Sequence, residues 1–98
     1  MAVPGSRIGK KEKNNDFYTA LLTLKNEEEL YEFFCEVCTQ AELRAMEQRF
    51  EVARSLQKGM LYSEILELTG TSSATISRVG RTMGDGYARV FERMGEDK

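Results

Sequence analysis

Ser63-Glu64-Ile65-Leu66-Glu67-Leu68-Thr69-Gly70-Thr71-Ser72-Ser73-Ala74-Thr75-Ile76-Ser77-Arg78-Val79-Gly80-Arg81 is the stretch that decides the fold. It reads as a short helix, a tight turn and a second helix. Thr69-Gly70-Thr71 supplies the turn, where a glycine can adopt backbone angles closed to other residues. Ser63 is expected to cap the first helix and Ser72 the second, each hydroxyl accepting from a backbone N–H left open at a helix start. Ile65 and Leu68 are expected to pack on Ile76 and Val79 and so fix the angle between the helices. That leaves Ser73, Ala74, Ser77 and Arg81 outward, with Thr75 and Arg78 on the flanks. Small side chains let such a helix lie deep in a DNA major groove. Hydroxyls can meet base edges or phosphates, alanine a thymine methyl, and arginine guanine or phosphate.

The competing interpretation is a surface helical hairpin with a glycine turn. Two features weigh against it. The segment from Gly70 to Gly84 carries no acidic residue in a chain otherwise rich in Glu. Its outer face is small and hydroxylic, which is poor for helix stability, and a local conflict of that kind marks functional surfaces.

Working outward, Thr39-Gln40-Ala41-Glu42 fits a capping box. Leu43, Met46, Phe50, Ala53 and Leu56 follow at helical spacing until Gly59 closes the helix. Upstream, Phe17, Leu21 and Leu24 recur with Tyr18 and Leu22 beside them. Asn26 then caps a helix with Glu27, Glu28 and Glu29 at its start and Leu30, Phe33, Phe34 and Val37 on one face. Downstream, Met83-Gly84-Asp85-Gly86 breaks the chain before Tyr87, Val90, Phe91 and Met94. No alternating strand pattern or repeat is visible. The expectation is an all-α fold of about six helices, with one domain over residues 14–95 and a flexible basic tail over 1–13. A solvated, mobile tail is favoured over a phosphate-contacting arm.

Composition sets the outer bounds. The 98 residues, 11.2 kDa, suffice for one domain. No apolar run nears the roughly 20 residues that span a bilayer, and no apolar signal segment is visible. There is no His, which removes the commonest general base and metal ligand. No glycine-rich phosphate loop or convergent carboxylate set is visible either, so an enzyme is not expected. The net charge of −2 argues against an anionic partner, but the charge is sorted. Residues 27–51 hold two Lys/Arg and eight Asp/Glu, whereas residues 52–82 hold four and two. The acidic excess is confined to residues 27–51, and an anionic partner should meet the remainder of the chain. Cys35-Glu36-Val37-Cys38 fits neither a redox pair, which wants a βαβ context, nor a zinc site, which wants two more ligands. Two small apolar residues on a buried helix face is the favoured interpretation, and free thiols fit a reducing cytoplasm.

The turn-and-helix unit, Gly70-Thr71-Ser72 followed by Ala74-Thr75-Ile76-Ser77-Arg78, resembles the recognition unit of bacterial repressors. With Leu21-Leu22, Thr39, Arg49 and Gly59 upstream and Arg81 and Gly86-Tyr87 downstream, it resembles the Trp repressor superfamily, in its YerC/YecD-type branch. The resemblance covers about residues 15–94. It implies an intertwined homodimer with two reading helices about 34 Å apart, a palindromic operator and a repressor role on double-stranded DNA. It also implies a bacterial, cytoplasmic, nucleoid-associated protein. Lys58, Arg78 and Arg81 would neutralise phosphates, and Ser73, Ala74 and Ser77 would read bases. Ser72, Thr75 and Thr82 complete the expected DNA-facing set. Thr39, Arg49, Thr75 and Arg78 match positions that line the corepressor pocket. Val79 stands where the Trp repressor has glycine and should crowd an indole ring, so tryptophan is not expected, and any effector would be another small molecule. The chain is also one residue shorter between Gly59 and Ile65, and Leu66 replaces a customary small residue. The alternative function is a protein-interaction module of the transcription machinery, motivated by the acidic 27–51 segment.

Overall fold

The computed structural model describes residues 13–95. The expected basic tail lies outside them, apart from Lys13. Six helices follow one another: α1 Asn15–Leu22, α2 Glu27–Val37, α3 Gln40–Gln57, α4 Tyr62–Thr69, α5 Ser73–Thr82 and α6 Asp85–Met94. No strand occurs among the described residues. The fold is all-α, as the periodicity predicts.

Most helix starts are set by local chemistry. The Asn14 side chain accepts from the Phe17 N–H at 3.1 Å, and Asn26 accepts from Glu29 at 2.9 Å. Thr39 and Glu42 form the expected capping box, with both reciprocal bonds at 2.9 to 3.0 Å. α3 ends as predicted. Gly59 takes φ +84, and the N–H groups of Gly59 and Met60 donate to Leu56 and Ser55 carbonyls, the paired bonds of a Schellman motif.

One expected cap is corrected. Ser63 lies inside α4, whose first residue is Tyr62 and whose N-cap is Leu61. No N-cap side chain accepts from the first turn of α4; the Glu64 carboxylate instead accepts from the Leu61 N–H at 2.9 Å, the returning half of a capping box.

The chain divides into two compact units between Cys38 and Thr39. In the first, α1 and α2 bury no residue. Phe17 and Phe33 lie 6.3 Å apart, yet Leu22, Tyr31 and Val37 are exposed. Cys35 is also exposed and Cys38 half-buried, so within this chain the cysteines do not occupy the buried face expected of them.

The second unit has the core. Val52 and Ala53 of α3, Ile65 of α4, Ile76 and Val79 of α5 and Phe91 of α6 form it, with Phe50, Leu56, Met60, Met83 and Tyr87 around them. Tyr87 stacks on Phe91 at 5.7 Å, and Phe50 meets Phe91 at 5.4 Å. Leu68 is not in this core, contrary to expectation; it is 64% exposed. The inward stripe of α4 runs instead from Ile65 to Thr69, one turn on, and the Thr69 hydroxyl donates to the Ile65 carbonyl. Gln48 of α3 donates to the Thr69 carbonyl at 3.1 Å and ties the two helices beside the turn.

Thr71 and Ile76 hold the positions of a hydrophobic staple around the start of α5, and both are buried. The Thr71 Oγ1 has no hydrogen-bond partner. Removing an unsatisfied hydroxyl while keeping its shape is neutral to stabilising, whereas truncating a core isoleucine costs about 2–5 kcal/mol. Thermal or urea unfolding should therefore show Thr71→Val equal to or above the parent and Ile76→Ala far below it.

Candidate nucleic-acid interface

The rotation of α5 about its axis is fixed by two residues. Ile76 is fully buried and Val79 is 4% exposed, so the 3.6-residue period turns Ala74, Ser77, Arg78 and Arg81 toward the opposite side. The structure agrees at most positions. Ser73, Ala74, Arg78, Arg81 and Thr82 are exposed, and Ser77 and Thr75 are half-buried. Gly70, at φ +73, ends α4 and reverses the chain into α5, as the sequence requires.

The hydroxyls divide by role. Ser72 is the N-cap of α5. Its oxygen accepts from the Thr75 N–H at 3.2 Å, and its O–H donates to Thr75 Oγ1 at the same distance. Both side chains are thus committed to the helix start. Thr82 donates back to the Arg78 and Val79 carbonyls. Ser73 and Ala74 remain on the exposed first turn, which holds no acidic residue, while Arg81 lies in the last turn. α5 therefore carries two positive charges and no negative one over ten residues. Lys58 is exposed at the C-cap of α3.

Tyr62 was not singled out by the sequence. It opens α4, is 44% exposed, and brings its hydroxyl 3.9 Å from the point where a Cβ on Gly80 would lie. An aromatic residue at a helix start gives no periodic signal of a neighbour eighteen residues away; only the packing of α4 beside α5 reveals it.

The four expected effector residues are placed differently. Thr39 spends its hydroxyl on the Glu42 N–H, Arg49 is exposed on α3, Thr75 is bonded to Ser72, and Arg78 is exposed on α5. A groove of about 720 Å³ runs between α3 and the end of α4, floored by Ala41, Ala45 and Leu68, and includes none of the four. Val79 points into the core, so its bulk is used in packing.

A six-helix chain with this turn and this exposed second helix is a helix-turn-helix protein. Residues 12–95 match the family model described as Trp repressor protein. YerC of Bacillus subtilis (strain 168), described as uncharacterized, is 41% identical over 85 residues, spanning 84% of this chain and 82% of YerC. A crystal structure of a TrpR-like protein from Eubacterium eligens ATCC 27750 superposes with a TM-score of 0.81 at 47% identity, covering 86% of this chain and 90% of that one. Another, from Staphylococcus aureus, gives 0.81 at 38% identity over 86% and 87% of the two chains. The chain belongs to the Trp repressor superfamily, in its YerC-type branch.

Cap and surface roles separate cleanly in unfolding experiments. Ser72→Ala should lower stability by about 1 kcal/mol. Arg78→Ala and Arg81→Ala, on an exposed face, should stay within about 0.5 kcal/mol of the parent.

Proposed function

We propose that the protein is a sequence-specific, double-stranded-DNA-binding transcriptional regulator acting as a homodimer on a palindromic operator. The observation that carries this is α5: its apolar side is locked in the core, and its free side is small, hydroxylic and basic. Ser73, Ala74 and Ser77 read bases; Arg78, Arg81 and Lys58 neutralise phosphates. Membership of the Trp repressor superfamily supports the same role, as a repressor on the nucleoid in the bacterial cytoplasm. No described helix is long and apolar enough to cross a membrane.

Dimerisation draws support from α1 and α2, whose aromatic and aliphatic faces bury no residue within this chain. Faces of that kind are stable in water when a second copy covers them. A two-fold dimer sets its reading helices about 34 Å apart and asks for inverted half-sites. Thr39, Arg49, Thr75 and Arg78 are the proposed contacts for a small-molecule effector, at least some of them completed across the dimer. Tryptophan is not that effector in this proposal, since Val79 replaces the glycine of the Trp repressor.

Light scattering should give twice the 11.2 kDa chain mass. Duplexes selected from a random pool should be palindromic, and their binding should weaken with salt at a log–log slope of roughly −5 for six ionic contacts. Replacing Ser73 and Ala74 should abolish selection while leaving the circular dichroism spectrum unchanged. Retention of no duplex at low salt refutes the reading; unchanged selection after those replacements moves base readout off α5.

Because the chain has no Trp, added tryptophan can be followed by its own fluorescence. A flat titration is expected. Saturable binding that tightens the DNA complex would overturn the part assigned to Val79.

A further inference from the structure

Gly80 lies inside α5, where glycine is among the least favourable residues for a helix. Intramolecular packing does not demand it. A Cβ built there would meet Leu56 Cδ1 at 3.6 Å and the Tyr62 hydroxyl at 3.9 Å, both ordinary van der Waals separations. Its φ is not among the positive values found at Gly59, Gly70 and Gly95. The fold would therefore accept alanine, and helix propensity would favour it. The position is exposed, next to Arg81 and one turn beyond Ser77. A bare backbone in an exposed helix is what close approach by another molecule requires.

Tyr62 supplies the chemistry beside the bare patch. Its ring is partly exposed, and its hydroxyl is held at the edge of Gly80 by the packing of α4 beside α5. A phenol both donates and accepts hydrogen bonds, so it can donate to a phosphate oxygen. The Arg81 guanidinium extends from the adjacent position of the same helix.

We infer that Gly80 and the Tyr62 hydroxyl form a seat for the DNA sugar–phosphate backbone: the absent side chain lets a strand come against α5, and the phenol donates to its phosphate. This rests on the DNA-binding role proposed above and adds two residues to it. Because the Tyr62 contact is neutral and directed at phosphate, it positions the strand without reading sequence and without releasing a counterion.

The test uses the full chain and a duplex selected by it. Tyr62→Phe should weaken binding about 3- to 10-fold on specific and scrambled duplexes alike, the worth of one hydrogen bond, with the salt slope unchanged. Arg81→Ala, the control, should flatten that slope. Gly80→Ala should raise the melting temperature by roughly 4 °C or more, yet weaken DNA binding at least about 5-fold. Stability and affinity moving in opposite directions cannot come from damage to the fold. A parent chain that binds while Tyr62→Phe and Gly80→Ala both bind equally well overturns this inference alone. A parent that binds no duplex overturns it together with the DNA-binding role.

Discussion

The burial of Ile76 and Val79 against Ile65, Val52 and Phe91 is the constraint on which the second helical unit depends. It decides which side of α5 is presented and leaves the opposite side free of packing duties. It also explains why the exposed part of α5 can hold serine and glycine, residues that are poor for helix stability. The core anchors the helix, so the outer face need not. Gly70 supports the arrangement by allowing α4 and α5 to meet through the three-residue link Gly70-Thr71-Ser72, and Ser72 sets where α5 begins.

Features governed by neighbours in sequence were legible in advance. The Thr39–Glu42 box, the Asn26 and Ser72 caps and the glycine stops at 59 and 70 each involve residues within a few positions of one another. Features that depend on three-dimensional packing, or on too short a window, are not legible in the same way. α4 has eight residues, barely two turns, and its pattern fits Ile65 with either Leu68 or Thr69. Packing chooses Thr69, and Leu68 turns to the groove beside Ala41 and Ala45. Serine is a common cap, but Ser63 falls one residue inside α4, where the side chain that serves the helix start is the Glu64 carboxylate reaching back to the Leu61 N–H.

The candidate site was legible to a similar depth. Ser73, Ala74, Arg78 and Arg81 are exposed as their spacing requires, because two buried positions fix the phase of the whole helix. Ser77 is only half-buried, and the hydroxyls of Ser72 and Thr75 are engaged with each other. Val79 shows how one residue sustains two interpretations. The sequence offers both, a packing partner for Ile65 and bulk where the Trp repressor has glycine, and the structure places it in the core. Tyr62 had no signature at all, since its relation to Gly80 exists only once α4 and α5 are packed.

Glu29, Glu42 and Glu64 each accept a hydrogen bond, at 2.9 Å, from the backbone N–H of Lys25, Thr39 and Leu61. Each carboxylate therefore faces the positive end of a peptide macrodipole, equivalent to roughly half an elementary charge. Close to each helix start the field of the carboxylate is partly offset by the N–H dipoles it faces, whereas the matching partial charge at the helix C-terminus leaves the net charge unchanged at a distance. The formal charge of −2 therefore still governs the long-range field, and what these contacts change is the near field, where a polyanion reaching the helix starts meets carboxylates already engaged by backbone N–H groups.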